Sequence, residues 1–284
     1  MVAFQVIFNG IATGAIYSLI ALGLVMILRA LDLINFAHGE MVMVGGFLAI
    51  TLNVTYGLPF VPSFLLAVIG VGALGLLIER FAIRTIKGAS VMNVITATIA
   101  LGLILQTWGL VVYGGEALAL PHPLGEESLE VFGLKILPQQ IIIIGVTLLL
   151  MLLLQAFFYL TRIGTALRAV MNDRETASLM GVDVRFMMAL TFAISVALGG
   201  AAGVLVAPMT FVTFNMGIIV VKAFTALILG GMFSFPGAII GGLLLGVFEN
   251  VLRGFVSSAY GDTIIFTLLI LVLISRPEGL IATK

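Results

Sequence analysis

The feature that most constrains this chain is a series of long apolar runs without a single charged residue. The runs cover residues 1–28, 41–78, 88–115, 136–161, 186–221 and 223–248. Each is long enough to cross about 30 Å of hydrocarbon as a helix of about 20 residues. Strands of a membrane β-barrel would instead alternate apolar and polar residues over about 10 positions. The sequence therefore predicts an all-α, polytopic helical membrane protein.

Composition excludes several other classes of protein. The chain is 62% hydrophobic and 9% charged, whereas about a quarter of the residues in soluble domains are charged. It contains no cysteine, which excludes disulfides and thiolate metal sites, and its two distant histidines indicate no metal site. No basic residue precedes the first apolar run, so we interpret that run as a retained helix. With zero net charge and no basic stripe, the chain is not expected to bind nucleic acid.

The basic residues give the topology. Ten of the thirteen lie in four short segments: Arg29; Arg80, Arg84 and Lys87; Arg162, Arg168, Arg174 and Arg185; and Arg276 with Lys284. Short loops rich in arginine and lysine face the cytoplasm. The loop 114–139 carries four glutamates and three prolines against one lysine, which predicts an irregular external loop. The N-terminus is then outside and the C-terminus inside.

These constraints predict one transmembrane domain over residues 1–284 with about nine crossings, within a range of eight to ten. The crossings are expected near 4–28, 33–54, 60–78, 90–113, 140–160, 187–207, 217–233, 238–256 and 262–275. The segments after Leu33 and after Pro208 are alternatively broken or re-entrant.

Two stretches resemble each other and run in opposite directions on this topology. They are 72–79 (Gly-Ala-Leu-Gly-Leu-Leu-Ile-Glu) and 242–249 (Gly-Leu-Leu-Leu-Gly-Val-Phe-Glu). Inverted repeats are common in transporters, where the pathway lies between the halves. Shared Gly/Leu composition of membrane helices is the alternative explanation, and both stay open.

The most polar internal stretch on the predicted cytoplasmic side is the loop 161–186. Its opening, 162–164, is typical of a turn, Asn172 or Asp173 suits a helix N-cap, and Gly181 suits the left-handed position after a helix. A short helix, Arg174 to Met180, is therefore expected. It is either a docking helix for a soluble partner or an ordinary solvated connector.

Three motifs, in order along the chain, resemble one family. They are the segment Leu33-Ile-Asn-Phe-Ala-His-Gly-Glu40, then Gly164-Thr-Ala-Leu-Arg-Ala-Val-Met-Asn172 continuing to Met180-Gly-Val182, and then the glycine pattern of 226–246. Together they are similar to LivH-type permeases, the membrane subunits of ABC importers for branched-chain amino acids. Urea and short-amide permeases share much of this pattern, so the substrate stays open between these classes.

The resemblance implies that Gly164 to Val182, within the coupling loop 161–186, forms a coupling helix that docks on an ATP-binding subunit. The residues implied in coupling are Gly164, Arg168, Asn172, Arg174, Glu175, Ala177, Leu179, Met180 and Gly181. The charged members would orient the helix, while Ala177, Leu179 and Met180 would form the buried contact. No Gly-x-x-x-x-Gly-Lys-Ser/Thr loop occurs, so ATP would be bound and hydrolysed by partners. The chain itself is then not an enzyme and holds no cofactor.

Further expectations concern partners and location. The resemblance implies ATP-binding cassette subunits, a second related permease subunit and an extracytoplasmic substrate-binding protein. It also implies a lipid environment in the cytoplasmic membrane of a bacterium or archaeon.

Two polar sites lie outside the coupling loop. Asn35, His38, Gly39 and Glu40 are gate candidates or a locally capped helix start, since polar groups near hydrocarbon are costly and often functional. Glu249 and Arg253, four residues apart, are expected to form an ion pair on one helix face, with a structural or a gating role. Lys222 is nearly alone between two apolar runs and is expected to extend to an interface, as an anchor or as part of a gate.

Two other classes of function remain. A self-powered secondary transporter would need ion-coupling groups deep in the bundle, and Glu249 is the one plausible deep carboxylate. An intramembrane enzyme would need a nucleophile–base pair or a metal constellation, and no such set is evident in the sequence.

Overall fold

The computed structural model describes residues 2–86, 91–125, 127–131, 134–255, 260–275 and 279–281. The helices are α1 (Val2–Leu31), α2 (His38–Ile50), α3 (Phe60–Ile78), α4 (Arg84–Ile86), α5 (Val91–Tyr113), α6 (Pro138–Leu160), α7 (Arg162–Asn172), α8 (Arg174–Leu179), α9 (Val184–Val206), α10 (Ile219–Gly230), α11 (Phe235–Phe255) and α12 (Gly261–Ser275). Short π-helical turns follow α2 (Thr51–Thr55) and α3 (Glu79–Ile83), and a 3-10 turn (Met216–Ile218) precedes α10. The strands are β1 (Leu129–Val131) and β2 (Leu134–Ile136).

Every predicted crossing contains one helix, which confirms a polytopic helical fold. Among the described residues, six helices have the length and hydropathy of a full crossing: α1, α3, α5, α6, α9 and α11. The helices α2, α10 and α12 have 13, 12 and 15 residues. At 1.5 Å per residue, these three span less than about 30 Å of hydrocarbon.

Two chain breaks explain the short helices α2 and α10. The predicted helix from Leu33 is wrong, because residues 33–37 are not helical and α2 begins at His38. Residues 207–215 form turns and extended backbone between α9 and the 3-10 turn. The alternative of a broken segment is therefore confirmed at both places.

The chain forms two compact units within the predicted single domain. The first unit comprises Met1–Val25, Pro121–Leu148 and Ile219–Lys284, and the second comprises Met26–Leu120 and Leu149–Ile218. The helices α1 and α6 each contribute one part to each unit.

Glycines set the packing of the second unit. An added Cβ on Gly203 of α9 would overlap the carbonyl oxygen of Val42, and one on Gly45 would overlap the backbone of Gly200. A Cβ on Gly200 would also lie 2.8 Å from a methyl group of Val71 in α3. Small residues allow such close backbone approach between membrane helices. The helices α2 and α3 therefore both pack against α9.

Glycines also allow close helix contacts in the first unit. A Cβ on Gly10 of α1 would lie 2.6 Å from the Cα atom of Val247 in α11, and one on Gly246 would overlap the backbone of Gly14. The helix α11 also packs on α10, where Gly230 and Gly237 meet backbone to backbone. The buried side of this unit includes Tyr17, Leu245 and Leu252.

The loop 114–139 is more ordered than predicted. The strands β1 and β2 form an antiparallel pair with Glu130 opposite Lys135. The Gln5 side chain donates to the Lys135 carbonyl oxygen at 2.6 Å and accepts from its N–H at 2.9 Å. The prediction of a wholly irregular loop is therefore wrong, and the loop ends where α6 begins at Pro138.

The order of elements gives the suspected repeat a structural counterpart. From α1 to α5 the chain forms, in this order, a long helix, a non-helical break, a short helix, a glycine-containing helix and an apolar helix, with the short α4 before the last. From α9 to α12 it forms the same series of elements. The two matching stretches end α3 and lie within α11. Opposite orientation of the two halves stays a prediction.

Candidate coupling surface and buried polar sites

The loop 161–186 contains two helices instead of the one predicted. Thr161 ends the preceding helix and caps α7, because its side chain accepts from the Gly164 N–H at 2.9 Å. Gly164 lies inside the first turn of α7, so the predicted turn at 162–164 is wrong. A Cβ on Gly164 would overlap the backbone of Phe157 and Phe158. Only glycine therefore lets α7 fold back this closely on the end of α6.

The short helix α8 forms where the sequence predicts it. The Asp173 side chain caps it by accepting from the N–H groups of Glu175 at 2.9 Å and Thr176 at 3.1 Å. The helix ends at Leu179, and Gly181 follows with a φ of +83°. Both capping predictions are confirmed. Left-handed backbone at Gly181 carries no steric cost because glycine has no Cβ.

The cap of α8 is expected to weaken in acid. Hydrogen bonds from the Thr176 hydroxyl and N–H hold the pKa of Asp173 below its ordinary value of 3.8. The carboxylate therefore stabilises α8 fully above that value, and the contribution is lost as pH falls through the lowered pKa. We expect backbone amides of α8 to exchange faster, after correction for intrinsic rates, at about pH 3 than at about pH 6.

An Asp173→Asn variant provides the control for this prediction. Its amide oxygen still caps the helix, but it does not titrate, so exchange from α8 should no longer depend on pH. An unchanged pH dependence in this variant would show that another group is responsible.

The apolar residues of α8 divide into an inner and an outer set. Ala177 is buried with Val170 and Met188 in a cluster within the chain. It is therefore not available to a partner, which corrects the predicted docking contact at this position. Leu179 and Met180 are 87% and 81% exposed. These two side chains form an apolar tip on an otherwise polar helix.

Polar contacts join the loop to the end of α1. Arg174 pairs with Asp32 at 2.5 Å, and Arg29 donates to the Asn172 side chain at 3.5 Å. Arg168 instead stacks on the Tyr159 ring, with its guanidinium carbon 4.6 Å from the ring centre. The exposed Glu175 is the acidic residue in the first turn of α8. The charges thus hold the loop against its own chain.

The segment Asn35 to Glu40 forms the start of α2. The Asn35 side chain accepts from the Ala37 N–H at 3.1 Å, and the Asn35 carbonyl accepts from the His38 N–H at 3.2 Å. His38 and Gly39 are buried, while Glu40 is partly buried in the first helical turn. No side chain caps α2, whose N-cap residue is Ala37, so the alternative of a locally capped helix start is not confirmed, and the segment lies next to a break in the chain.

Glu249 lies at the centre of a charged cluster in the first unit. The predicted pair with Arg253 is present at 2.8 Å. Lys222 lies 2.6 Å from Glu249 and 3.0 Å from Asp262, so its predicted isolation is wrong. Tyr17 donates to Glu249 at 2.6 Å. Sequence reasoning missed Tyr17, Lys222 and Asp262 because they come from three other helices, α1, α10 and α12.

Comparison with known proteins gives consistent matches over nearly the whole chain. Residues 6–273 match the family model described as branched-chain amino acid transport system / permease component. The chain belongs to this permease family. The similarity suggested by the three sequence motifs is thus confirmed.

Individual relatives of the permease come from bacteria and an archaeon. It is 36% identical to the high-affinity branched-chain amino acid transport system permease protein LivH of Salmonella typhimurium, covering 98% of this chain and 94% of the relative. Identity to BraD of Pseudomonas aeruginosa is 38%, covering 98% and 95%. A probable LivH of Methanocaldococcus jannaschii is 32% identical, covering 92% and 87%. No solved structure matches the permease.

Proposed function

We propose that this chain is the transmembrane subunit of an ABC importer for branched-chain amino acids. The relatives at 32–38% identity bear the names of branched-chain amino acid permeases. An extracytoplasmic protein delivers the ligand, and two related permease subunits enclose the pathway. ATPase subunits drive the cycle from the cytoplasmic side, where the C-terminus also lies.

The observation that supports the coupling assignment is the exposed apolar tip of α8. Leu179 and Met180 expose 87% and 81% of their surface at the end of a helix that is capped at Asp173. A soluble ATPase with an apolar groove would bury both side chains, and such buried anchors dominate interface energies. The ion pair between Arg174 and Asp32 would pass movement of the docked helix to α1.

The contacts of Glu249 argue against its use as the ion-coupling carboxylate of a secondary transporter. Such a protein needs a carboxylate whose charge is available to the driving ion. Glu249, the sequence candidate, already pairs with Lys222 and Arg253. Both cations belong to this chain, so Glu249 is not free to exchange an ion.

Replacing Leu179 and Met180 together with aspartate is expected to separate the permease from its ATPases. Two charges cannot enter an apolar groove without a large desolvation cost, so recovery of ATPase on affinity-purified permease should fall more than about tenfold, in line with loss of interface anchors. Uptake of leucine into proteoliposomes should fall in parallel.

The matched control is Tyr56→Asp, which places a charge on an apolar side chain that is 71% exposed in a turn of the second unit. It should leave ATPase recovery unchanged, because predicted topology places this turn outside. Full ATPase recovery with the Leu179/Met180 variant would refute docking at α8. Uptake that needs no ATP, or that selects urea over leucine, would refute the proposed function itself.

A further inference from the structure

Three glutamates lie within or directly next to apolar helices, and one of them differs from the others. Glu79 and Glu249 are each 3% exposed, and each has a cation of this chain close by. Arg84 lies 3.0 Å from Glu79, and Lys222 lies 2.6 Å from Glu249. Glu40 makes no ion pair with any residue that the structure describes, and its Oε2 atom is buried without a hydrogen bond there.

An uncompensated carboxylate in this position is costly. Removing an ion from water is strongly unfavourable unless an opposite charge and hydrogen bonds compensate. The N-terminus of α2 provides part of that compensation, since Glu40 lies in its first turn and the helix dipole favours negative charge there. Among the described residues, no positively charged side chain pairs with Glu40.

The surroundings of Glu40 keep the space beside its carboxylate narrow. A Cβ on Gly217 would lie 2.7 Å from both carboxylate oxygens, and a Cβ on Gly102 of α5 would lie 3.6 Å from the Glu40 Cγ atom. Both glycines thus let backbone approach the side chain. Gly217 belongs to the 3-10 turn that follows the break at 207–215.

A second unsatisfied group lies in the non-helical segment just before α2. Asn35 is 2% exposed, and its Nδ2 atom has no hydrogen-bond partner among the described residues. Its oxygen is already used by the Ala37 N–H, so the amide nitrogen is the part left to donate. Buried polar groups are normally satisfied, and an unsatisfied one needs an explanation.

We propose that the start of α2 binds the charged head group of the transported amino acid. The ammonium group of the ligand pairs with the carboxylate of Glu40. The carboxylate of the ligand accepts a hydrogen bond from the side-chain amide of Asn35. Broken helices whose N-termini face a substrate are a recurrent design for such sites in transporters. The inference rests on the proposed function only for the identity of the ligand, an α-amino acid.

The test uses the assembled importer in detergent, without its binding protein, and two probes. Leucine carries both charges, while 3-methylbutylamine carries the ammonium and the same branched chain but no carboxylate. We expect both probes to bind wild type, and Glu40→Gln to weaken both at least about tenfold, as loss of a charge-assisted contact implies. Glu40→Asp should restore part of the affinity. Ligand-induced infrared changes of the carboxylate band should disappear in Glu40→Gln.

Two glycine variants separate a ligand site from a structural role. Gly217→Ala places a methyl group against the carboxylate and should lower affinity for both probes without preventing assembly. Gly72→Ala, where the new Cβ would make an ordinary 3.5 Å contact with Ala197, should bind like wild type. Equal affinities in wild type and Glu40→Gln would overturn the proposal and indicate a protonated, structural Glu40. ATP-driven leucine uptake by wild type, measured in parallel, reports separately on the proposed function.

Discussion

Replacing Gly203 with leucine is expected to prevent stable packing of the second unit. Any side chain at this position enters the space occupied by the Val42 carbonyl oxygen. A backbone oxygen cannot rotate away as a flexible side chain can, so α2 and α9 would have to separate. Overpacking of a core costs about 1–3 kcal/mol, occasionally more, and we expect the upper end of this range. Thermal unfolding and size-exclusion profiles of the detergent-solubilised protein provide the measurement.

Gly145→Leu is the matched control for this prediction. Gly145 lies in the apolar helix α6, and a Cβ there would meet no atom within 4 Å. The same substitution should therefore leave the unfolding temperature unchanged or raise it slightly, since leucine favours helix more than glycine does. A Gly203→Leu protein as stable as the Gly145→Leu protein would contradict the close α2–α9 contact.

Replacing Glu249 with leucine is expected to destabilise the first unit by about 3 kcal/mol, the cost of leaving a buried partner charge uncompensated. Lys222, whose side chain is 18% exposed, would keep only the more exposed Asp262. Tyr17 would also lose the acceptor of its hydroxyl. The measurement is again the thermal unfolding of the solubilised protein.

The double variant Lys222→Met/Glu249→Leu tests whether charge is the cause. It removes both members of the buried pair, so it should regain most of the lost stability, and the coupling energy follows from the double-mutant cycle. Arg253→Gln should have a small effect, because the Arg253 side chain is 45% exposed and solvent screens its pair. Additive single effects would contradict a coupled buried pair.

Helix positions were largely predictable because each apolar run must satisfy its backbone internally in lipid. The two caps of α8 were also predictable, because capping is a local property. Asp173 and Gly181 act on hydrogen bonds and backbone angles within a few residues, so the sequence around α8 contains the necessary information. Thr161 was missed, although a threonine before a helical stretch is a recognisable N-cap signal.

The candidate sites were predictable only in part. The sequence motif singled out Asn35 and Glu40, but it did not show that Asn35 Nδ2 and Glu40 Oε2 have no hydrogen-bond partner among the described residues. It placed Ala177 with Leu179 and Met180, yet only the latter two face outward. Residues three apart lie on one face of a straight helix, but which face is covered depends on the neighbouring α7 and α9.

By itself, the sequence determined that this chain is a multi-pass helical membrane protein of one permease family. It also determined the two caps of α8 and which loops are basic. These properties follow from composition, periodicity and local hydrogen bonding. The tertiary structure alone decided that Lys222 pairs with Glu249, that Glu40 has no cation beside it among the described residues, and that Gly203 must remain glycine. Such facts depend on residues many positions apart that meet only after the helices pack, and burial then makes an unpaired charge or an extra methyl group costly.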